Sequence, residues 1–287
     1  MIKYATLKKF KRDFEKELKK SIFKMQDRTE LHKAIEYSLL SGGKRLRPIL
    51  VMMIAETIGK NLDVLESALS VEYFHTASLI ADDFPCMDDE DFRRGKPTLH
   101  KKYPESTALL ASYTLIAGGY QKIVENSKGF AKETEDENLA NKACVLAFEI
   151  VSKNAGLLGA TSGQFLDLLP QKKSKEMLLD IIQKKTATLF EICFSLGWIF
   201  GGGDVDQLSK IRDVSRHFGM AFQIADDIKD INQDLLNENT TNLVVLLGEK
   251  KAKEAFDQEV LKLEKRLVDL DLFKDPLKIA FEYLKNY

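Results

Sequence analysis

Proline and glycine are scarce, 6 and 16 in 287 residues, so long stretches of the chain run without a helix breaker. Cysteine is scarcer still. Cys86, Cys144 and Cys193 form an odd set with no CxxC spacing, which argues against a disulfide framework or a zinc cage and for a reducing compartment. Neither sign of charge is in excess: 43 Lys and Arg face 44 Asp and Glu, for a net charge of −1. That excludes the broad basic surface of a general nucleic-acid binder. Any attraction for an anion must be local. No apolar run reaches the roughly 18–20 residues of a membrane span. Asp13, Glu15 and Glu17 interrupt the Lys-rich start, and no signal-peptide core follows it. The chain is expected in the cytoplasm, with no membrane span and no nucleic-acid partner.

What fills the chain instead is Leu, Ala, Lys and Glu in a helical period, the profile of an all-α protein. Helices are expected over about 3–25, 28–41, 47–58, 62–84, 104–126, 138–160, 175–201, 205–236, 249–270 and 273–285. Segments 64–81 and 186–200 are apolar on nearly every face, which places them at the centre of a large helical domain. The charged stretch 127–137 reads as a solvated loop. With no repeat and no Pro/Ser-rich linker, residues 1–287 are expected to form one domain.

Two acidic clusters stand out. The first, Asp82-Asp83-Phe84-Pro85-Cys86-Met87-Asp88-Asp89-Glu90-Asp91, ends the apolar 62–84 helix, which Pro85 cannot continue. Carboxylates at a helix C-terminus are unfavourable unless a cation compensates them. Grouped hard oxygen ligands suit Mg²⁺, which completes its shell with water and phosphate oxygens. In the second cluster, Gln223, Asp226 and Asp230 share one helix face beside Asp227, flanked by apolar Phe218, Phe222 and Ile224. A single Asp-Asp pair is more often a solvated helix end. Two pairs, each on an apolar helix and about 140 residues apart, point to a metal site.

Basic counterparts lie nearby. Gly42-Gly43-Lys44-Arg45-Leu46-Arg47-Pro48 joins two expected helices, where glycines let backbone approach a ligand and Lys44 and Arg47 can meet phosphate oxygens. Alone, this segment would read as a C-cap followed by surface charge. Arg93-Arg94-Gly95-Lys96-Pro97 follows the first cluster, either as salt-bridge partners or as the other side of a metal–diphosphate clamp. His75 lies seven residues, or two turns, before Asp82 on the same face; it is a core histidine or a diphosphate donor.

The ordered set GGKRLRP, DDFPCMDDEDFRRGKPT, GATSGQFLDL, KKTATLFE and FQIADDIKD resembles trans-isoprenyl diphosphate synthases along the whole chain. Its first motif resembles bacterial and plastid-type geranylgeranyl diphosphate synthases. The resemblance implies an all-α fold with helices around a central cavity, a homodimer, and condensation of isopentenyl diphosphate with allylic diphosphates. It implies Mg²⁺, three ions with bound diphosphate, on Asp82, Asp83, Asp88, Asp226, Asp227 and Asp230. It assigns isopentenyl diphosphate to Lys44, Arg47, His75 and Arg94, and the allylic substrate to Arg93, Lys185, Thr186 and Gln223. Asp82, Asp83, Asp88, Lys185, Thr186, Gln223 and Asp226 are then the catalytic set. Ionisation leaves an allylic cation, which the Thr186 hydroxyl and Gln223 carbonyl can stabilise, and the departing diphosphate takes the final proton.

Chain length should be set along the 62–84 helix. Ala77 and Ser78 are small, and Phe74 lies roughly 12 Å below Asp82 at the helical rise, so a twenty-carbon product is expected. Some residues depart from the family pattern. Ala81, Ile182 and Lys184 stand where histidines are usual; Asn239 and Asn242-Leu243 stand where the family has a lysine and Tyr-Pro, in a shortened segment after Asp230. A farnesyl diphosphate synthase, a weakly active regulatory subunit and a terpene cyclase are the alternatives.

Overall fold

The computed structural model describes residues 2–24, 28–169, 174–236 and 242–286. Fourteen α-helices are described: α1 (Ile2–Lys24), α2 (Glu30–Leu39), α3 (Leu46–Ile58), α4 (Leu65–Asp82), α5 (Leu99–Lys102), α6 (Glu105–Thr134), α7 (Glu137–Ala155), α8 (Ala160–Leu168), α9 (Lys175–Ile181), α10 (Thr188–Phe200), α11 (Leu208–Leu236), α12 (Leu243–Leu247), α13 (Glu249–Asp269) and α14 (Leu277–Lys285). The strands described are a two-residue pair, β1 (Phe92–Arg93) and β2 (Lys96–Pro97), joined antiparallel.

The centre is where the sequence placed it. In α10 every residue but Leu189 is buried, and α3, α4, α7 and α11 pack around it. One continuous core runs from Phe10 in α1 to Leu284 in α14. A smaller cluster of Leu178, Ile182, Met220, Ile224 and Leu243 packs beneath the second acidic motif. Burial of this kind, at about 25 cal/mol per Å² of apolar surface, supplies the main drive to fold.

Three expectations are corrected. Residues 127–134 are helix, not loop, because Ile123, Ser127 and Phe130 prolong a buried stripe. Phe130 meets Phe200 edge-on at 5.8 Å, and Ser127 Oγ donates to the Ala140 carbonyl at 2.8 Å. The charges occupy the opposite face, which hid the stripe. The helix expected over 138–160 stops at Ala155, and α8 begins after a turn at 156–159. Residues 137–168 would pass for a membrane span by length and composition alone; the turn splits them, and α7 packs on α6 and α10. The helix expected over 175–201 is interrupted by a π-helical segment, Ile182–Ala187.

Candidate active site

Asp82 is the last residue of α4, a helix buried on most faces. The chain then folds back on that end. Asp88 N donates to the Asp82 carbonyl at 2.9 Å, and Met87 N and Asp89 N both donate to the Phe84 carbonyl, at 2.8 and 3.1 Å. These bonds satisfy carbonyls that a helix end leaves open, and they return Asp88 toward Asp82. The two-residue turn between β1 and β2 holds Arg94 and Gly95 at φ 55° and 75°, as a hairpin of this type requires. It sends Arg93 back to Asp83, with Nε and Nη2 at 2.6 and 2.5 Å from Oδ1. Arg94 Nη1 donates instead to the Gly42 carbonyl. Only glycine fits at position 43, at φ 115°, where a Cβ would stand 2.5 Å from Arg94 Cζ.

Burial pushes Asp82 up to about 6; Lys185 and Arg93 pull against it, while Asp88 and Asp83 add to it. Burial also raises Asp83 despite the Arg93 contact.

The opposite wall is the π-helical segment. π-bulges often mark functional sites because the widened turn re-aims side chains. Here the segment carries Lys185 and Thr186. Lys185 Nζ pairs with Asp167 Oδ2 at 2.7 Å and lies within electrostatic reach of Asp88 and Asp82. Gly163 makes this approach possible, since a Cβ there would lie 2.3 Å from Lys185 N. One residue on, Gln164 Nε2 donates to Asp88 Oδ1 at 3.1 Å. Thr186 Oγ1 donates to Gln223 Oε1 at 2.8 Å, and Gln223 Nε2 donates to Asp227 Oδ1 at 2.8 Å. The chain of bonds thus joins Lys185's segment to the second acidic motif.

Asp227 is turned inward. Its Oδ2 accepts from Leu243 N at 2.8 Å, its backbone carbonyl accepts from Asn242 Nδ2 at 2.8 Å, and Asn242 Oδ1 caps α12 through Val244 N at 2.7 Å. The unusual Asn242-Leu243 pair is therefore a structural joint. Asp226 lies on the other side, raised by burial, with Lys44, Lys229 and Arg47 opposing the rise.

The basic residues bridge the two acidic regions. Arg47 Nη1 lies 3.4 Å from His75 Nε2, and its guanidinium sits 4.8 Å over the Phe190 ring. Burial, then Arg47 and Arg94, hold His75 well below the ordinary histidine range. A guanidinium can only donate, so in this contact a neutral His75 accepts at Nε2 and carries its proton on Nδ1. Neither His75 Nδ1 nor Arg47 Nε has a partner among the described residues, although both are buried. Buried donors left unpaired are costly, and a bound anion would satisfy them. Lys44 is lowered by burial, and the charge of Asp226 opposes that most.

The structure thus brings Lys44, Arg47 and His75 together with Asp226, and Asp82 and Asp88 with Lys185. Thr186 and Gln223 link the two groups. Asp230 is exposed, within electrostatic reach of Asp226 and Lys44. Asp83 and Asp227 are not free to face a shared ligand, since Arg93, Gln223 and Leu243 N engage them. Sequence reasoning missed Gln164 and Asp167; their signal was GATSGQFLDL, which places both on one helix face three residues apart. Among the departures, Ile182 is buried and Lys184 pairs with Asp180 at 2.6 Å, while Asn239 lies outside the described residues.

Residues 28–242 match the polyprenyl synthetase family. The chain belongs to that family. It is 39% identical over 239 residues to the chloroplastic geranylgeranyl pyrophosphate synthase of Capsicum annuum, covering 78% of this chain and 62% of that relative. It is 34% identical over 281 residues to the farnesyl diphosphate synthase of Bacillus subtilis (strain 168), covering 93% and 92%. Among solved structures, the geranyltransferase of Legionella pneumophila superposes with a TM-score of 0.83 at 27% identity over 99% and 97% of the two chains. The geranyltranstransferase of Thermotoga maritima superposes at 0.78 with 32% identity over 98% and 96%. The all-α fold of these isoprenyl synthases is the fold of this member too.

Proposed function

We propose that this family member is a prenyltransferase that condenses isopentenyl diphosphate with an allylic diphosphate to give a linear trans-prenyl diphosphate. The observation that carries the reading is the Thr186–Gln223–Asp227 chain of hydrogen bonds, which starts one residue after Lys185 in reach of Asp82 and Asp88 and ends beside Asp226 in reach of Lys44 and Arg47, with His75 Nδ1 and Arg47 Nε left as buried, unpaired donors.

The residues fit Mg²⁺. Burial raises Asp82 and Asp226, so each carboxylate calls for nearby positive charge. Among the described residues no group of three His, Cys, Asp or Glu side chains forms a ready cage, which suits an ion that takes one or two carboxylates and completes its shell with phosphate oxygens and water. Asp82 and Asp88 would hold one ion, and Asp226, with Asp230 within reach, another. Bound there, Mg²⁺ supplies positive charge against the leaving diphosphate. Lys185 and Arg93 add fixed charge at that place, and such preorganised charge costs no reorganisation when the bond breaks. The allylic C–O bond breaks with its electron pair leaving on diphosphate. Lys44, Arg47, Arg94 and His75 orient isopentenyl diphosphate so that its double bond forms the new C–C bond. The Thr186–Gln223 pair presents oxygen dipoles to the cation, and the released diphosphate accepts the proton lost.

A twenty-carbon product is the length that the packing below Asp82 supports. Ala77 is small and meets Ser112, whose hydroxyl donates to the Ala77 carbonyl at 3.1 Å. The first bulky groups below are Phe74, Tyr120 at 5.0 Å edge-on, and Phe148 stacked on Tyr120 at 5.4 Å. Ala77→Phe should shorten the product to fifteen carbons, read by chain-length analysis. On α6, Leu109, Leu110, Tyr113 and Ile116 form an exposed apolar stripe; a second copy of this chain covering it would make a homodimer, which sedimentation equilibrium would detect.

The deciding assay incubates purified protein with Mg²⁺, isopentenyl diphosphate and each allylic diphosphate. A linear prenyl diphosphate is the expected product. A hydrocarbon, or no product, would overturn the proposal.

A further inference from the structure

Glu72 lies on α4, ten residues before Asp82, and is 1% exposed. A carboxylate this deep in an apolar helix needs a partner. Its partner is Arg45, whose Nη1 donates to Glu72 Oε1, both side chains being 2% exposed. Arg45 Nη2 donates at 2.5 Å to the Leu39 carbonyl at the end of α2. Arg45 sits at φ 57°, in left-handed backbone that a long side chain rarely adopts. It is flanked by Lys44, and Arg47 is two residues on. The Glu72–Arg45–Leu39 fastening therefore fixes the backbone that presents both cations and ties it to α4, which carries His75.

Glu72 also stands among more positive charge than it cancels. Arg45, Arg94 and Arg47 all lie within its electrostatic reach. Arg94 is held from the other side by the Gly42 carbonyl, and Lys11 Nζ donates to the Gly43 carbonyl at 2.8 Å. Three guanidiniums packed beside a neutral histidine would repel one another without a carboxylate between them. The direct ion pair described for Glu72 goes to Arg45.

We propose that Glu72 is a positioning residue: through Arg45 it holds Lys44, Arg47, Arg94 and His75 in the arrangement that receives the diphosphate of the homoallylic substrate. This rests on the prenyltransferase reading above.

The sign of one kinetic change separates the possible roles. If Glu72 acted only through its field, Glu72→Gln would remove a negative charge near an anion site, and the KM for isopentenyl diphosphate would fall. If it were only a core brace, less folded enzyme would remain and both KM values would stay put. As a positioning residue, its loss should raise the KM for isopentenyl diphosphate about tenfold or more, since small misplacements of binding groups are costly. The KM for the allylic diphosphate should move little. Glu72→Asp should recover part of the loss.

Arg45→Lys is the second variant, for the case in which Glu72→Gln does not fold. It keeps both charges but cannot fork between Glu72 and the Leu39 carbonyl, and it should raise the same KM selectively. Parallel shifts in both KM values, no shift, or a fall for isopentenyl diphosphate would overturn the proposal. Failure of the wild-type protein to condense the two substrates would instead overturn the reading beneath it.

Discussion

The two Asp-Asp pairs look alike in the sequence and differ in the fold. At the first, Asp82 ends a helix, Asp88 returns to it through a loop, and the inward neighbour Asp83 pairs with Arg93, whose side chain is 32% exposed. At the second, both aspartates lie within α11, and inward-facing Asp227 is fixed by Gln223, Leu243 N and Asn242, with Leu243 fully buried. Consecutive residues on a helix point about 100° apart, and in both pairs here the second carboxylate is engaged by protein groups. One member faces the site and the other becomes a joint. What differs is the joint: one end of the first reaches water, and the second is sealed.

The largest effect should follow from removing the outward members. Asp82→Asn and Asp226→Asn should each lower kcat by about 10²–10³-fold, the usual cost of losing one charge-stabilising contact, with little change in folded content. Asp83→Asn should cost less. If steady-state kinetics gave equal losses for Asp82 and Asp83, with stability untouched in both, the division into site and joint would fail.

Stability should invert that order. Asp227→Ala leaves Leu243 N and Gln223 without an acceptor in a sealed place, at a cost of about 1–3 kcal/mol. Asp83→Ala releases Arg93, whose side chain already reaches solvent, and should cost less than the loss at Asp227. Urea titrations of the two variants check this, and a larger loss at Asp83 would contradict it.

These contrasts also show what the sequence could reveal. The buried centre was legible in segments 64–81 and 186–200, because helices apolar all round have no place else to go. The acidic and basic motifs were legible as chemistry. The partners that fix them were not. Arg93's turn toward Asp83 depends on positive φ at Arg94 and Gly95. Asp227's inward turn depends on Asn242, fifteen residues on. The π-helical segment has no hydrophobic period of its own, so 175–201 read as one helix. At 127–134 a charged face concealed a buried one. Local pattern names the residue types, and long-range packing decides which of two adjacent aspartates works.

A further effect tests the outward pair without turnover. Asp82 in the folded, metal-free protein is raised from 3.8 to about 6, so the folded state disfavours its ionised form relative to the unfolded chain. The resulting stabilisation of the protonated form is intact below about 3.8 and lost as pH rises through 6. At neutral pH the ionised group costs at most about 3 kcal/mol, at 1.36 kcal/mol per unit. Asp82→Asn should therefore raise the metal-free melting temperature at pH 7.5 by a few degrees, with the gain shrinking toward zero near pH 4. Asp226→Asn should gain in the same direction, since burial raises that group too. Added Mg²⁺ and diphosphate should reverse the order, because they bind the wild-type carboxylates better and stabilise what they bind. Thermal melts with and without the two ligands would show it; a gain for Asp82→Asn that persisted unchanged at pH 4 would mean that ionisation of Asp82 is not its source.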